Sequence, residues 1–321
     1  MSKKKIMLLS DDLRMSSGVG TVSKNFVLGT LDKYDWVQVA GAIKHPEEGK
    51  IVDMNDSVSK ETGVKDAYLK IYPISGYGNQ ELLRTIMNVE KPDAILHYTD
   101  PRFWMWLYQM EREIRSQIPI FYYNIWDDLP YPMWNQPFYE SCDLLMNISK
   151  QTVNIVKNVR QNKPVEDWQC TYVPHGINSE EFKPVDDTDT RFIQFKDELS
   201  QDKEYSFVVY YNNRNIRRKQ PGDVMLAYKY FMDELTPEQR EECVLIWHCQ
   251  PLDDNGTDLP RVCRHLIPDY DVCFTYEKHN RPFNDDEMNL LFNSADVYIN
   301  LASNEGFGLG SAEALTVETP I

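Results

Sequence analysis

The chain has 321 residues, of which 42% are hydrophobic and 26% are charged, a composition typical of soluble globular proteins with room for two domains. Its net charge of −16 disfavours a nonspecific nucleic-acid binder, because contacts with phosphates drive that affinity. No run of about eighteen apolar residues occurs, so no membrane-spanning helix is predicted.

The cysteines and the N-terminus favour a cytoplasmic protein with reduced thiols. No two of the six cysteines form a CxxC pair, so the sequence indicates neither a disulfide framework nor a structural zinc site. In the N-terminal stretch MSKKKIMLLSDD the apolar run spans only four residues. This run is too short for a signal peptide, and we interpret the stretch as a first β-strand.

Short apolar runs alternate with amphipathic stretches in the first half of the chain. Strands are predicted at 5–10, 36–43, 67–74, 93–98, 118–126 and 143–149. Helices are predicted at 21–31, 80–90, 103–116 and 150–159. Asn79 is expected to cap the helix at 80–90, which ends before Pro92. Strands separated by helices in this way predict an α/β fold with a parallel, doubly wound sheet.

The segment VPHGINSEEFKPVDDTDT interrupts this alternation and predicts a domain boundary near residue 187, with domains 1–187 and 188–321. The pattern then restarts, with strands predicted at 205–213, 243–249, 271–276 and 297–302 and helices at 222–235 and 284–295. Asn284 and Glu287 have the spacing of a capping box. The chain ends after TVETPI, which resembles the start of another strand, so we expect the second Rossmann-like domain to be incomplete.

Two loops that follow predicted strands carry phosphate-binding chemistry. In SSGVGTVSKNF, Gly18 and Gly20 allow close backbone approach, and a helix N-terminus favours an anion. The loop lacks the full GxGxxG and P-loop patterns, so it is either a phosphate site or a tight turn. In NNRNIRRKQP, Arg214 and Lys219 either converge on a diphosphate, since ligands bind at the carboxyl ends of parallel strands, or belong to a basic face exposed to solvent.

A third loop, SNEGFGLGSAEAL, places two acids around a glycine-rich turn. Glu305 falls in the loop and Glu313 in the first turns of a helix, and both can accept hydrogen bonds from hydroxyl groups. Phosphate repels both carboxylates. Backbone amides that can hold phosphate or sugar oxygens are expected at Gly306, Phe307, Gly308 and Leu309. A ligand with central phosphates and hydroxyl groups at both ends, a sugar nucleotide, fits this layout.

These motifs resemble those of the GT-B glycosyltransferases, most closely glycosyltransferase family 4. EGFGLGSAE is similar to the family's E-x7-E motif, and RNIRRK fits its R-x4-K pattern. VPHGINSEEFKP resembles the interdomain segment, and SGVG resembles the glycine loop after the first strand. KPDAILH and YNIWDDLP are similar to two paired strands in the first domain of many family members. The resemblance therefore covers the whole chain in order.

The resemblance implies a role for each residue of the sugar-nucleotide site. Glu313 binds the ribose hydroxyls, and Glu305 holds hydroxyls of the donor sugar with the amides of Gly306, Phe307 and Gly308. It also implies transfer of a hexosyl or pentosyl unit with retention of configuration. No cofactor is expected besides the nucleotide-sugar donor, which is a substrate.

The resemblance also implies which residues contact the diphosphate of the donor. Arg214 and Lys219 neutralise it as it leaves, without a metal ion. Gly18 and Gly20 approach it from the first domain.

The sequence departs from the family where many members have His-Asp. Trp126 occupies the position of the histidine and Asp127 that of the aspartate, so Asp127 or Asp128 is expected to take over the polar contact. His175 replaces the usual asparagine of the interdomain segment. His97 is a nearby alternative group, although a lone histidine at a strand end is more often structural.

Three functions remain open at this level. The chain is a retaining glycosyltransferase, a GT-B protein that binds sugar nucleotides without turnover, or a GT-B epimerase or phosphorylase. The acceptor is a glycan, a lipid, a protein or modified DNA, and the acidity disfavours DNA. The aromatic loops YTDPRFWMW and LPYPMWNQPFY are the candidates for binding the acceptor, unless their rings serve only in packing.

Overall fold

The structure, a computed structural model, describes residues 3–200, 203 and 205–321. These form two compact units, of which the first ends at His175 and the second runs over Gly176–Ile321. The domain boundary near residue 187 stays a prediction. The first two residues of the stretch interpreted as the first strand lie outside the described residues.

In its described part, the first unit forms an eight-stranded sheet. Its strands are β1 (Lys4–Asp11), β2 (Tyr34–Gly41), β3 (Val52–Asp53), β4 (Leu69–Pro73), β5 (Ala94–Tyr98), β6 (Ile120–Asn124), β7 (Leu144–Asn147) and β8 (Cys170–Tyr172). Its helices are α1 (Gly18–Leu28), α2 (Asn55–Thr62), α3 (Gln80–Glu90), α4 (Met105–Gln109), α5 (Glu111–Arg115), α6 (Gln136–Glu140) and α7 (Lys150–Val159). The strand order is β3-β4-β2-β1-β5-β6-β7-β8, and β3 is antiparallel to β4 while the other neighbours are parallel.

The second unit forms a four-stranded parallel sheet within its described residues. Its strands are β9 (Phe207–Tyr211), β10 (Cys243–Trp247), β11 (Val272–Phe274) and β12 (Val297–Tyr298). Its helices are α8 (Thr190–Ser200), α9 (Pro221–Asp233), α10 (Pro237–Glu241), α11 (Leu259–Leu266), α12 (Thr275–His279), α13 (Asp285–Asn293) and α14 (Leu309–Thr316). The order is β11-β10-β9-β12. The prediction of an α/β protein with two Rossmann-like sheets is confirmed.

Each sheet has a point where the strand order reverses. In the first unit β1 lies between β2 and β5, and in the second unit β9 lies between β10 and β12. Open α/β sheets bind ligands beyond the carboxyl ends of the strands at such a point. The loops after β1 and β5, and separately those after β9 and β12, therefore occupy the positions where ligand chemistry is expected.

The central strands are continuous apolar runs because both faces of each sheet are covered. Met7 and Leu9 of β1 have no exposed surface and pack in the same core as the buried Trp104. In the second unit Trp247 ends β10 and is buried among side chains of β9 and α9. These cores hold the strands so that their carboxyl-end loops have defined positions.

A buried polar network joins the first strand to the end of α3. The carboxylate of Glu90 is 5% exposed and accepts hydrogen bonds from Tyr72 Oη at 2.6 Å, Tyr68 Oη at 2.9 Å and Lys5 Nζ at 2.9 Å. Burial raises the pKa of Glu90, but these three donors outweigh it and hold the pKa below its usual value. The network satisfies a charge that would otherwise be costly to bury.

Most predicted elements are confirmed, and the differences have local causes. Asn79 caps α3 by accepting from the Leu82 amide, and Asn284 and Glu287 form the capping box of α13. The helix predicted at 103–116 is divided, because Met110 has non-helical backbone angles between α4 and α5. The strand predicted at 297–302 is also shorter. After Ile299 the side chain of Asn300 accepts from the Ala302 amide and turns the chain.

Candidate functional site

The loops after β9 and β12 meet through an ion pair between Lys219 and Glu305. Lys219 ends a short 3₁₀ turn, and its carbonyl accepts from the buried Tyr211 hydroxyl at 3.1 Å. The Ser303 amide donates to the Arg218 carbonyl at 2.9 Å, and Arg218 Nη1 donates to the Asn304 carbonyl at 2.9 Å. Residues predicted from two separate motifs are thus brought together at the carboxyl edge of one sheet.

Glu313 lies in α14, on the helix that follows the glycine turn. Burial raises its pKa to about 7, and the Asp285 carboxylate adds to this effect. A carboxyl group with a pKa near 7 is partly ionised at neutral pH, and its ionised form can accept hydrogen bonds from hydroxyl groups. Its position eight residues after Glu305 places the two acids on either side of the turn.

The turn between the two acids depends on glycine. Gly308 has φ of +81°, a left-handed conformation that favours glycine, and it precedes the first residue of α14. A Cβ at Gly310 would lie 2.4 Å from the hydroxyl oxygen of the buried Tyr298. Asn300 also donates to Ser311 Oγ at 3.0 Å. Residues 306–309 therefore follow a path set by close packing against β12 and the loop after it.

Arg214 has a partner that the sequence analysis did not identify. Its Nε donates to Asp253 Oδ2 at 2.8 Å, and Asp253 is nearly buried in the loop after β10. The fully buried Asn215 donates to the Pro251 carbonyl at 3.0 Å and to the Thr257 carbonyl at 2.6 Å. The loop over 251–258 is therefore attached to the motif that carries Arg214. The available signal was the polar stretch DDNGTD, which begins six residues after the end of β10.

In the first unit, Gly18 and Gly20 belong to the first turn of α1 and not to a preceding loop. Ser17 caps this helix by accepting from the Gly20 amide at 3.1 Å. A Cβ at Gly20 would lie 2.4 Å from the Met15 carbonyl oxygen. Gly20 is thus required by the close approach of the segment that precedes the helix, while Gly18 is exposed at the helix N-terminus.

Asp11 ends β1 beside this helix and was not predicted as a site residue. Its Oδ1 atom is buried and has no hydrogen-bond partner among the described residues. Burial raises the pKa of Asp11 to about 6, and the hydrogen bond with Thr99 opposes that shift. Thr99 follows β5, so these two residues mark the strand-order reversal of the first sheet.

Trp126, Asp127 and Asp128 lie in the loop after β6, also in the first unit. Trp126 is half-buried, and its Nε1 donates to the Asp128 carbonyl at 3.0 Å. The Asp128 carboxylate accepts from the Leu129 amide at 2.8 Å and is exposed, while Asp127 is half-buried. A direct role for either aspartate stays a prediction.

The two histidines considered above differ in their surroundings. His97 is fully buried in β5, where it hydrogen-bonds to Tyr108 Oη at 2.6 Å and stacks on Tyr122. Burial lowers its pKa to about 3, so it is a neutral packing group. His175 contacts Tyr123 Oη at 2.8 Å, and burial lowers its pKa to about 4.

Two features of these residues bear on ligands and membranes. Within the described part of the chain, no three His, Cys, Asp or Glu side chains cluster so that they could hold a metal ion. None of the helices formed by residues 3–200, 203 and 205–321 has the length and apolarity to cross a membrane.

Comparison with known proteins gives matches among solved structures. No family model and no curated protein matches the chain. The chain is similar to Anabaena HepE in complex with UDP and glucose, with 13% identity and a TM-score of 0.67, over 99% of this chain and 80% of that one. It is also similar to an α,α-trehalose-phosphate synthase (UDP-forming) from Burkholderia vietnamiensis, with 9% identity and a TM-score of 0.67, over 99% and 81% of the two chains.

A third neighbour is a glycosyltransferase from Rickettsia africae, with 14% identity and a TM-score of 0.64, over 99% of this chain and 78% of that one. The chain has the GT-B fold. At these identities the likeness establishes the GT-B architecture, and membership of glycosyltransferase family 4 stays a prediction. Within this GT-B chain, Arg214, Lys219 and Glu305 follow the two strands at the strand-order reversal of the second sheet, and Glu313 lies in the helix α14 that comes next.

Proposed function

We propose that the protein is a retaining glycosyltransferase of the family 4 type that transfers a hexosyl or pentosyl unit from a nucleotide-diphosphate sugar without a metal ion. The observation that carries the proposal is the Lys219–Glu305 ion pair, with Glu313 eight residues further along the chain in α14. It joins a cation suited to a diphosphate and two acids suited to hydroxyl groups at the strand-order reversal of one sheet. The GT-B fold adds independent support.

Each side chain has a role in the proposed transfer. Glu313 accepts hydrogen bonds from ribose hydroxyls, and Glu305 accepts them from hydroxyls of the donor sugar. Arg214 and Lys219 stabilise the negative charge that develops on the diphosphate. The bond between the anomeric carbon and the diphosphate oxygen breaks, and the acceptor oxygen forms a new bond to that carbon. The diphosphate takes up the acceptor proton.

The ion pair also bears on which ligand the site favours. Glu305 forms an ion pair with Lys219, which is itself only 7% exposed. A donor that supplies both a diphosphate and sugar hydroxyls gives each side chain a new partner. This exchange favours the complete sugar nucleotide over inorganic diphosphate, which would leave Glu305 facing like charge.

A second candidate is a GT-B protein that binds a sugar nucleotide without transfer. It is favoured by Trp126, which occupies the position of the family's histidine and whose ring Nε1 is bonded to its own loop. An epimerase or phosphorylase is a further alternative, and it would convert sugar nucleotide or sugar phosphate without a separate glycosyl acceptor.

The first experiment is a thermal-shift screen with UDP, GDP and ADP and with their glucose derivatives. A ligand that binds only the folded protein raises the apparent Tm. We expect one nucleotide family to give a shift and the sugar derivative to give the larger one. Absence of a shift with all six compounds would contradict the proposed function.

A second measurement separates the three candidates once the nucleotide is known. Nucleotide release is followed with and without a mixture of acceptors, and the sugar of the recovered donor is identified. Transfer requires acceptor-dependent release of the nucleoside diphosphate. Binding with no release supports the inactive protein, and an altered donor sugar without acceptor supports the epimerase.

A further inference from the structure

Aromatic side chains lie in three loops that follow the carboxyl ends of β4, β5 and β6 of the first sheet, of which β5 and β6 are neighbours. Tyr77 follows β4, Phe103 follows β5, and Trp126 and Trp134 follow β6. We call these four side chains the aromatic rim. Phe103 is 54% exposed and Trp134 is 55% exposed. Exposed large rings grouped at the ligand-binding edge of a sheet mark an interaction site better than isolated surface rings do.

Contacts within the rim hold its rings in fixed orientations. Tyr77 and Phe103 are stacked with centroids 4.8 Å apart and an interplanar angle of 6°. Trp126 and Trp134 meet edge to face at 6.0 Å. The guanidinium of Arg102 lies 5.3 Å from the centre of the Trp126 ring and so links the loops after β5 and β6. The rim is therefore a preformed surface and needs little ordering on binding.

The charges in these loops exclude a polyanion. Segments 76–79, 99–106 and 125–135 contain three acids, Asp100, Asp127 and Asp128, and one base, Arg102. That base is held by Asp100, with Nη2 2.5 Å from Oδ2. Proteins that stack single-stranded nucleic acid on aromatic rings combine those rings with a basic groove, and membrane-surface segments combine them with Lys and Arg. Neither combination is present in these described loops.

We propose that the aromatic rim docks a neutral saccharide as the glycosyl acceptor, an inference that rests on the proposed function. The C–H face of a sugar ring packs on the exposed rings of Phe103 and Trp134. The nearby carboxylate of Asp128 is exposed and accepts hydrogen bonds from sugar hydroxyls. Few polar groups among aromatic walls are typical of a small-molecule site. A phosphorylated acceptor would meet an acidic surface.

The test is saturation-transfer difference NMR on the full chain with maltotriose, cellotriose and triacetylchitotriose as probes. We expect at least one trisaccharide to receive saturation at its ring C–H protons. Trp134→Ala weakens that binding about tenfold, as expected for the loss of one stacking ring. Trp134→Phe, which keeps a ring, retains most of it. Trp168→Ala is the matched control, because Trp168 is also in the first unit, is 67% exposed and lies outside the rim.

Ten-nucleotide oligothymidylate and phosphatidylcholine–phosphatidylglycerol vesicles are tested alongside. Binding of either one that Trp134→Ala abolishes would overturn the proposal, and so would the absence of saturation with all three trisaccharides. Equal trisaccharide binding by wild type and Trp134→Ala would also overturn it. Thermal shifts with UDP-, GDP- and ADP-glucose are recorded on the same samples. Loss of the donor shift contradicts the proposed function, whereas an intact donor shift without saccharide binding contradicts only the role of the rim.

Discussion

Lys219 and Glu305 are 86 positions apart in the chain, yet their side chains form an ion pair at the carboxyl edge of the second sheet. Each follows a different strand, and β9 and β12 are neighbours in the sheet. Both side chains are largely withdrawn from water, so the pair is screened less than a surface ion pair. The predictions below begin with this pair and then move to the groups around it.

Lys219→Ala should slow sugar transfer strongly. Lys219 supplies positive charge where the leaving diphosphate develops negative charge, and we expect kcat to fall about 10²–10³-fold. The KM for the donor should change less. Steady-state kinetics with the donor found by thermal shift measures both values.

Lys229→Ala is the matched control for Lys219. Lys229 is in the same unit, on α9, and pairs with Asp233 one helical turn away. Its loss should leave kcat within about twofold, because exposed ion pairs contribute little. Equal activity of wild type and Lys219→Ala would show that the donor site lies elsewhere.

Donor affinity should rise with pH through neutrality because of Glu313. The pKa of this carboxyl is raised to about 7 in the folded protein, and only its ionised form accepts hydrogen bonds from both ribose hydroxyls. Affinity for a nucleotide sugar should therefore increase about tenfold between pH 6 and pH 8. Calorimetry in buffers of different ionisation enthalpy should detect proton release on binding at pH 6.

Glu313→Gln should bind the donor more weakly at pH 8 and should remove this pH dependence. The raised pKa also means that the folded protein holds an extra proton between the ordinary carboxyl pKa and about 7. Stability is consequently lost as the pH rises through that interval, and Glu313→Gln should reduce the loss. Glu241→Gln, at an exposed position of α10, is the control. A pH slope that persists in Glu313→Gln would exclude Glu313 as its origin.

Gly310→Ala should destabilise the protein, although alanine usually favours a helix over glycine. The new Cβ would lie 2.4 Å from Tyr298 Oη, and relieving that overlap should cost about 1–3 kcal/mol. Gly222→Ala is the control, because a Cβ there meets no atom within 4 Å. Chemical denaturation gives both free energies of unfolding.

Tyr298→Phe tests the cause of that loss. It removes the hydroxyl that opposes the new Cβ, at the cost of its hydrogen bond to the Asn212 carbonyl at 3.1 Å. The effect of Gly310→Ala should be smaller in the Tyr298→Phe protein than in wild type. The same loss in both backgrounds would assign the destabilisation to a different contact.

Glu90→Gln should lower the free energy of unfolding at pH 7 by about 1–3 kcal/mol, because Lys5 loses its acidic partner in a partly buried position. The pKa of Glu90 lies below its usual value. Its contribution is therefore complete above the ordinary carboxyl pKa and is lost as the pH falls below it. Glu81→Gln, on the exposed face of α3, should change stability much less. Similar losses in both variants would contradict the role of burial.

Local signals in the sequence predicted most of the secondary structure. The capping residues Asn79 and Asn284 accept hydrogen bonds from backbone amides three positions away, so a short stretch of sequence is enough to predict them. The helix α8 and the division at Met110 were not predicted. The first is an amphipathic helix in a charged segment, and the second follows from the non-helical backbone angles of Met110 between α4 and α5.

The sequence motifs predicted the residues of the candidate site. They did not predict which residues of other loops contact them. Arg214 is predicted to bind a diphosphate, and its partner Asp253 lies 39 positions away on another loop. Gly20 was read as a residue that approaches a ligand, whereas the Met15 carbonyl already requires a glycine there. Both contacts arise from the way loops pack on each other, and no short sequence window contains that packing.

By itself the sequence determined the α/β alternation, the acidic charge and the spacing of Glu305 and Glu313, because periodicity, charge and short motifs are local properties. The tertiary structure decided which distant groups share a site. Sheet order placed the loops after β9 and β12 side by side and gathered the rings of the aromatic rim from three loops. It also set the raised pKa of Glu313, since burial is a property of the packed chain and not of the residue.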